Sequence, residues 1–189
     1  MNGRGGQGGK TAAELMATMF AGDRKDGKFR FVSSAPTFGP ERRGAPVDAY
    51  IRLSHEPIRE LGPFNNPDMV IVLDETLVMK IDVGNGLKEG GILLINSAKD
   101  PQEFKEYALR FRLFTVNADS IALAHGLGTE AMPIVNTVLL GAFVRASGLT
   151  TLETLLQFIG EEVHKKTEAN KRAATDAYNT VHTSTKEVS

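Results

Sequence analysis

Two short, unbroken apolar runs constrain this chain more than any other feature. Met69 to Leu73 ends on Asp74, and Ile92 to Ile95 ends on Asn96-Ser97. Runs this short, with no alternation of apolar and polar positions, read as strands covered on both faces. Such strands are parallel and need helical crossovers, which the flanking sequence supplies at Glu75 to Ile81 and at Gln102 to Leu109. Leu113 to Val116 reads as a further strand. Phe29 to Val32 and Val47 to Ser54 read as two more, joined by the Gly/Pro-rich stretch Ser33 to Pro46. Thr11 to Ala21 has the composition of a helix, with Leu15, Met16, Met19 and Phe20 as an apolar stripe and Gly22 as its stop. Beyond these the character changes. Asp119 to His125, Pro133 to Ser147, Thr151 to His164 and Lys165 to His182 all read as helices, the last two as one long helix or a pair, before a frayed tail. The expected fold is a three-layer α/β unit with a mostly parallel sheet and a helical C-terminal third. At 189 residues it is read as a single domain over residues 1–189.

Composition narrows the function. Lys+Arg 22 against Asp+Glu 23 gives a net charge of -1, so there is no overall basic field for nucleic acid or an anionic membrane surface. No apolar run reaches the roughly 20 residues that span a bilayer, and Met-Asn-Gly-Arg-Gly-Gly lacks a secretory apolar core. The expectation is a cytoplasmic chain with neither nucleic-acid nor membrane partners. With Cys 0, the chain has no disulfide, thiolate zinc site, cysteine nucleophile or Cys-ligated iron–sulfur cluster. Any electron carriers of those kinds sit on other chains.

The glycine-rich start, Gly3-Arg4-Gly5-Gly6-Gln7-Gly8, satisfies G-x-G-x-x-G and runs straight into a helix. Glycines let backbone N–H groups approach a phosphate, and a helix N-terminus adds positive potential. Asp23 or Asp26 lies near the spacing of a ribose-binding acid. The dinucleotide fingerprint needs a strand ahead of the loop, however, and only Met1-Asn2 precede Gly3. Gly9-Lys10-Thr11 also ends a near match to the phosphate loop GxxxxGK[ST], with Arg4 where the opening glycine belongs and Asp74 as the magnesium-side acid. The third possibility is a turn without a ligand, against which the density of glycines counts.

Longer motifs weigh among these. Pro40-Glu41-Arg42-Arg43-Gly44-Ala45-Pro46-Val47 sets two guanidinium groups beside an acid in a rigid frame. Pro67-Asp68 precedes Val70-Ile71-Val72, and Gly86-Leu87-Lys88-Glu89-Gly90-Gly91 precedes Ile92 to Asn96. Pro133 to Thr137 leads into Leu140-Gly141-Ala142-Phe143, and the tail carries Glu168-Ala169-Asn170, Ala173 and Ala177-Tyr178. Together these resemble, over nearly the whole chain, the gamma subunit of the 2-oxoacid:ferredoxin oxidoreductases of the pyruvate synthase type.

That resemblance implies a multi-subunit enzyme that oxidatively decarboxylates a 2-oxoacid, pyruvate by default, to an acyl-CoA, with electrons passed to ferredoxin. It implies thiamine diphosphate, Mg and [4Fe-4S] clusters on partner subunits of alpha, beta and delta type, and no activity for this chain alone. It also implies that the gamma chain lies over the active site and helps receive coenzyme A. Gly3, Arg4, Gly5, Gly6, Gln7 and Gly8, with the cations Lys10, Arg42 and Arg43, suit the phosphates of CoA. The competing reading of Arg42 and Arg43, slightly the stronger on the residues alone, is an internal ion pair with Glu41 or a subunit contact. Asn136 reads as a ligand donor or, better, as a helix cap. No catalytic residue and no metal ligand is expected. His55, His125, His164 and His182 lack ligand spacing, and His125 suits helix termination better than a cleft. Asp26-Gly27 and Asn65-Asn66 do not make a thiamine motif. Met16 and Met19 read as core, and Glu161, Glu162, Lys165, Lys166 and Glu168 as a solvated helix face. The alternatives are a stand-alone nucleotide-binding protein of Rossmann or phosphate-loop type, or a non-catalytic assembly module.

Overall fold

The computed structural model describes residues 1–4, 9–22, 29–36, 46–60 and 62–184. The apolar runs form the middle of the sheet. Met69–Val72 is β4 and Ile92–Asn96 is β5, paired in parallel, and Arg112–Val116 is β6, parallel to β5. Their side chains alternate between two cores, as a strand buried on both faces requires. Ile71, Leu94, Phe114 and Val116 face one core, and Val70, Val72, Leu93, Ile95 and Leu113 face the other.

The first strand, β1 (Asn2–Arg4), forms from the glycine motif itself rather than ahead of it, so a strand does lead into the loop. It pairs parallel with β4 and antiparallel with β3 (Pro46–Ser54), which pairs antiparallel with β2 (Phe31–Pro36). At the far edge β9 (His182–Thr183) pairs antiparallel with β6, where the sequence suggested only the end of a helix and a frayed tail. The sheet order is β2-β3-β1-β4-β5-β6-β9. The expected parallel sheet is its centre, and antiparallel strands flank it on both sides.

Helices cover one face deeply. Here α1 (Gly9–Gly22) contributes Met16, Met19 and Phe20, confirming the two methionines as core. It is joined by α3 (Ala118–Ala124), α4 (Asn136–Ser147), α5 (Leu152–Glu162) and α6 (Thr167–Thr180). The C-terminal helices are therefore two, not one. Lys166, at φ 52, breaks the chain between α5 and α6, and its ammonium bonds the Gly126 carbonyl. Pro133 lies in a small hairpin, β7 (Gly128–Thr129) with β8 (Met132–Pro133), which delays the start of α4 to Asn136.

The other face has thinner cover. The helix expected over Glu75 to Ile81 is a single 3₁₀ turn, Glu75–Leu77, capped by Asp74. Only Leu77 is buried there, whereas Met79 is 87% exposed, so no shared apolar face extends the helix. The helix expected from Gln102 divides likewise. An Asp100/Glu103 capping box with Pro101 starts a 3₁₀ turn, Phe104 leaves helical geometry, and α2 runs only over Lys105–Arg110.

Candidate functional site at the carboxyl edge of the sheet

Strand direction locates the site. From β1 the chain enters α1 on the deeply covered face and goes on to β2 and β3 on one side. From β4 it enters the 3₁₀ turn on the opposite face, with Leu77 packed beside Val70 and Val72, and goes on to β5 on the other side. Chains that diverge in this way leave a crevice between the carboxyl ends of adjacent parallel strands, the place where ligands enter open α/β sheets. That crevice lies between Arg4 and Leu73. Its β1 side leads into the glycine segment, and α1 begins at Gly9, directly against Leu73. No acidic residue stands in the first turn of α1. Its positive end, with Lys10, favours an anion. The Lys10 ammonium is about half exposed and lies 3.5 Å from Glu14.

The register between β1 and β3 matters most here. Arg4 pairs with Pro46, Gly3 with Val47 and Asn2 with Asp48. The glycine motif leaves the sheet after Arg4, and the Arg42-Arg43 motif enters it at Pro46, so two segments distant in sequence abut at one point of the crevice rim. Gly3 itself is buried in the strand. Gly5, Gly6, Gln7, Gly8, Arg42 and Arg43 lie outside the described residues, as do Asp23 and Asp26.

The β4 and β5 side of the crevice holds a polar cluster that no motif in the sequence announces. Buried Asn96 donates through Nδ2 to the Leu73 carbonyl (3.0 Å) and to Asp119 Oδ1 (3.1 Å), and its Oδ1 accepts from Ala118 N–H (2.9 Å). It thus ties the ends of β4, β5 and α3 together. Ser97 donates from its hydroxyl to Glu75 Oε2, and Lys99 Nζ lies 3.4 Å from Glu75 Oε1. Asp74 is engaged as a cap, accepting from Thr76 N–H (2.9 Å) and hydroxyl (2.7 Å). The available signal was the polar residues that immediately follow the buried runs.

Asn136 opens α4. Phe143 and Ser147, later in that helix, reach the level of Met69 and Ile92 at the amino ends of β4 and β5, so α4 runs against the strands and starts at their carboxyl edge. Asn136 Oδ1 accepts from Thr137 N–H (2.9 Å), but the cap position is Val135 and no side chain caps this helix, so Asn136 is its first residue and not the cap expected from the sequence. His125 is the C-cap of α3, its backbone N–H donating to the Ile121 carbonyl (3.2 Å) as suits a helix end, and its Nε2 separately meets Asp176 Oδ2 of α6 at 2.6 Å. Among the described residues no group of three or more His, Asp or Glu is placed to hold a metal ion. No helix among them is long and apolar enough to cross a membrane.

A mixed α/β sheet with a glycine-led crevice fits the motif resemblance, and similarity to known proteins carries it further. The family model described as pyruvate ferredoxin/flavodoxin oxidoreductase matches residues 1–180. The chain belongs to this family. It is 45% identical over 178 residues to the pyruvate synthase subunit PorC of Methanothermobacter marburgensis, covering 94% of this chain and 93% of that protein. It is 42% identical over 181 residues to the pyruvate/ketoisovalerate oxidoreductases common subunit gamma of Thermococcus kodakarensis, covering 94% and 93%. The crystal structure of pyruvate oxidoreductase subunit PORC from Thermotoga maritima superposes with a TM-score of 0.78 at 34% identity, covering 97% of this chain and 96% of that one. The resemblance read from the motifs is thus to this family and to gamma-type subunits within it.

Proposed function

We propose that this chain, acting as one gamma-type domain, is the gamma subunit of a cytoplasmic multi-subunit enzyme that oxidatively decarboxylates a 2-oxoacid to an acyl-CoA. Pyruvate is the default substrate, and electrons pass to ferredoxin. Thiamine diphosphate, Mg and [4Fe-4S] clusters belong to partner subunits of alpha, beta and delta type. With Cys 0, this chain has no thiolate for a cluster. Its own contribution is to cover the active site and to hold CoA by its phosphates at the carboxyl-edge crevice. Backbone N–H groups of Gly5, Gly6, Gln7 and Gly8 and the amino end of α1 receive the anion, with Arg4, Lys10, Arg42 and Arg43 supplying charge and Gly3, buried in β1, anchoring the motif to the sheet. Asn136 is a further donor at the same edge.

The observation that carries the proposal is the Arg4–Pro46 register. Chain connectivity keeps Arg43 within about 11 Å of Pro46, three residues away at full extension. A guanidinium on that tether reaches an anion seated at the end of β1 and can hold it bidentately.

The test uses the intact complex carrying Arg43→Ala, with normal assembly confirmed first. Removing one charge-assisted contact is expected to raise the KM for CoA about 10- to 100-fold, from roughly 1.5–3 kcal/mol. CoA-independent exchange of CO₂ into the 2-oxoacid carboxyl is expected to stay near wild type. An unchanged KM, or both reactions falling together, refutes the assignment of Arg43 to CoA. Failure of assembly favours the subunit-contact role instead.

A further inference from the structure

The seven-stranded sheet ends on β2 at one side and on β9 at the other, and the two edges differ. β9 is only two residues long, and shortness by itself protects an edge from pairing with another chain. β2 is six residues long, and from Phe31 to Pro36 it carries no charged side chain. Folded proteins usually guard an edge of that length with Lys, a bulge or a covering segment. Among the described residues no strand lies beyond β2.

Register shows which groups this edge presents. Ala49 N–H donates to the Met1 carbonyl at 2.9 Å, so Ala49 turns its backbone groups toward β1. Directions alternate along a strand, and Tyr50, Arg52 and Ser54 therefore turn theirs toward β2. They stand opposite Ala35, Ser33 and Phe31. The N–H and C=O groups of Val32 and Ser34 are left pointing outward. Among the described residues no strand or loop backbone bonds them.

We propose that β2 is a docking edge, and that its occupant is β2 of a second copy of this chain. The strand is complementary to itself. With the two copies antiparallel about Ser33, Val32 of each faces Ser34 of the other. Each such pair exchanges both of its hydrogen bonds, so every outward group of the two edges is satisfied. Phe31, 37% exposed, lies beside the small Ala35 of the other copy, and Ser33 meets Ser33. No like charges face one another between Phe31 and Ala35. This reciprocal matching is what a two-fold contact demands, since residue i must meet j while j meets i. The axis stands perpendicular to the sheet. Both deeply covered faces then lie on the same side of one continuous sheet, and the two carboxyl-edge crevices open in opposite directions.

The test is sedimentation equilibrium of the full 189-residue chain. An edge contact is small, so the dimer is expected to be weak. The average mass should rise from 20.5 kDa toward twice that value between about 1 and 500 µM. Amide exchange at Val32 and Ser34 should slow at least about tenfold over the same range, whereas Ser33, bonded to β3, should not change. Ser34→Pro removes an outward donor without touching the β3 ladder, and the Ser34 hydroxyl has no hydrogen bond to lose. It should be monomeric throughout, with the far-ultraviolet spectrum of the parent. Ser33→Asp sets like charges across the axis and a carboxylate opposite Arg52, whose buried Nε has no partner. It too should be monomeric, with an undiminished melting temperature, and it decides alone if Ser34→Pro fails to fold. The proposal is overturned if the parent stays monomeric, or if a folded variant dimerises as tightly as the parent. It is also overturned if exchange at Val32 and Ser34 ignores concentration, or slows only when partner subunits are added, since a different strand then occupies the edge.

Discussion

Asn96 shows how much one side chain decides at the crevice. Its amide satisfies the Leu73 carbonyl and the Ala118 N–H at once, and both lie where no regular ladder serves them. Asn96→Ala leaves these groups unpaired in a buried place and is expected to cost about 2–3 kcal/mol, read from urea midpoints at unchanged m. Tyr107 offers a titration. Burial, and after it the charge and hydrogen bond of Asp82, raise its phenol above the ordinary 10.0. A raised folded pKa means that the native state holds its proton longer than the unfolded chain. Its contribution to stability is complete below about pH 10 and is lost as pH rises through the folded value. Asp82→Asn is expected to bring the Tyr107 transition down in an ultraviolet titration, with Tyr107→Phe identifying the signal among the three tyrosines.

Between elements, α4 and α6 come close enough at Gly141 to leave no room for a side chain. A Cβ added at Gly141 would land on the carbonyl of Ala174, which is backbone and cannot swing aside. Gly141→Ala is therefore expected to cost about 3 kcal/mol or more by forcing the helices apart. Gly160 is the useful contrast. Its added methyl would meet only the end of the Lys171 side chain, at 3.1 Å from Nζ, so Gly160→Ala is expected to be neutral or to stabilise α5 by up to about 1 kcal/mol. Calorimetry on the pair distinguishes backbone crowding from helix propensity. The motif Leu140-Gly141-Ala142-Phe143 was readable as a sequence signature, but its contact with Ala174 was not, because the two helices meet only after folding.

For the molecule as a whole, the decisive expectation is dependence on partners. The isolated chain should bind no iron and reduce no viologen dye with any 2-oxoacid, whereas the complex purified with its partner chains should do both. Turnover by the lone polypeptide would refute the subunit assignment. The two sides of the sheet differ in a way that suits a subunit. One is buried under five helices, and the other has short turns and α2, with Met79 and Leu109 almost fully exposed at 87% and 89%.

Local residue patterns settle the layers. Short unbroken apolar runs read as strands covered on both sides, and the long helix-forming segments as their cover, so β4, β5, β6 and the helical C-terminal third were legible in the sequence. The glycine motif and its flanking helix were legible too, because glycine density and an uninterrupted helix-forming run are local properties. Packing between distant segments settles the rest. That Arg4 stands opposite Pro46, that Asn2 shares a strand with the start of the motif, and that His182 and Thr183 add a last edge strand all depend on residues far apart in the chain. Strands of two or three residues are too short for any period to appear. The helix expected after Asp74 failed for a related reason: whether Val78, Met79 and Ile81 extend a buried face depends on what lies above them, and only the packed molecule specifies that.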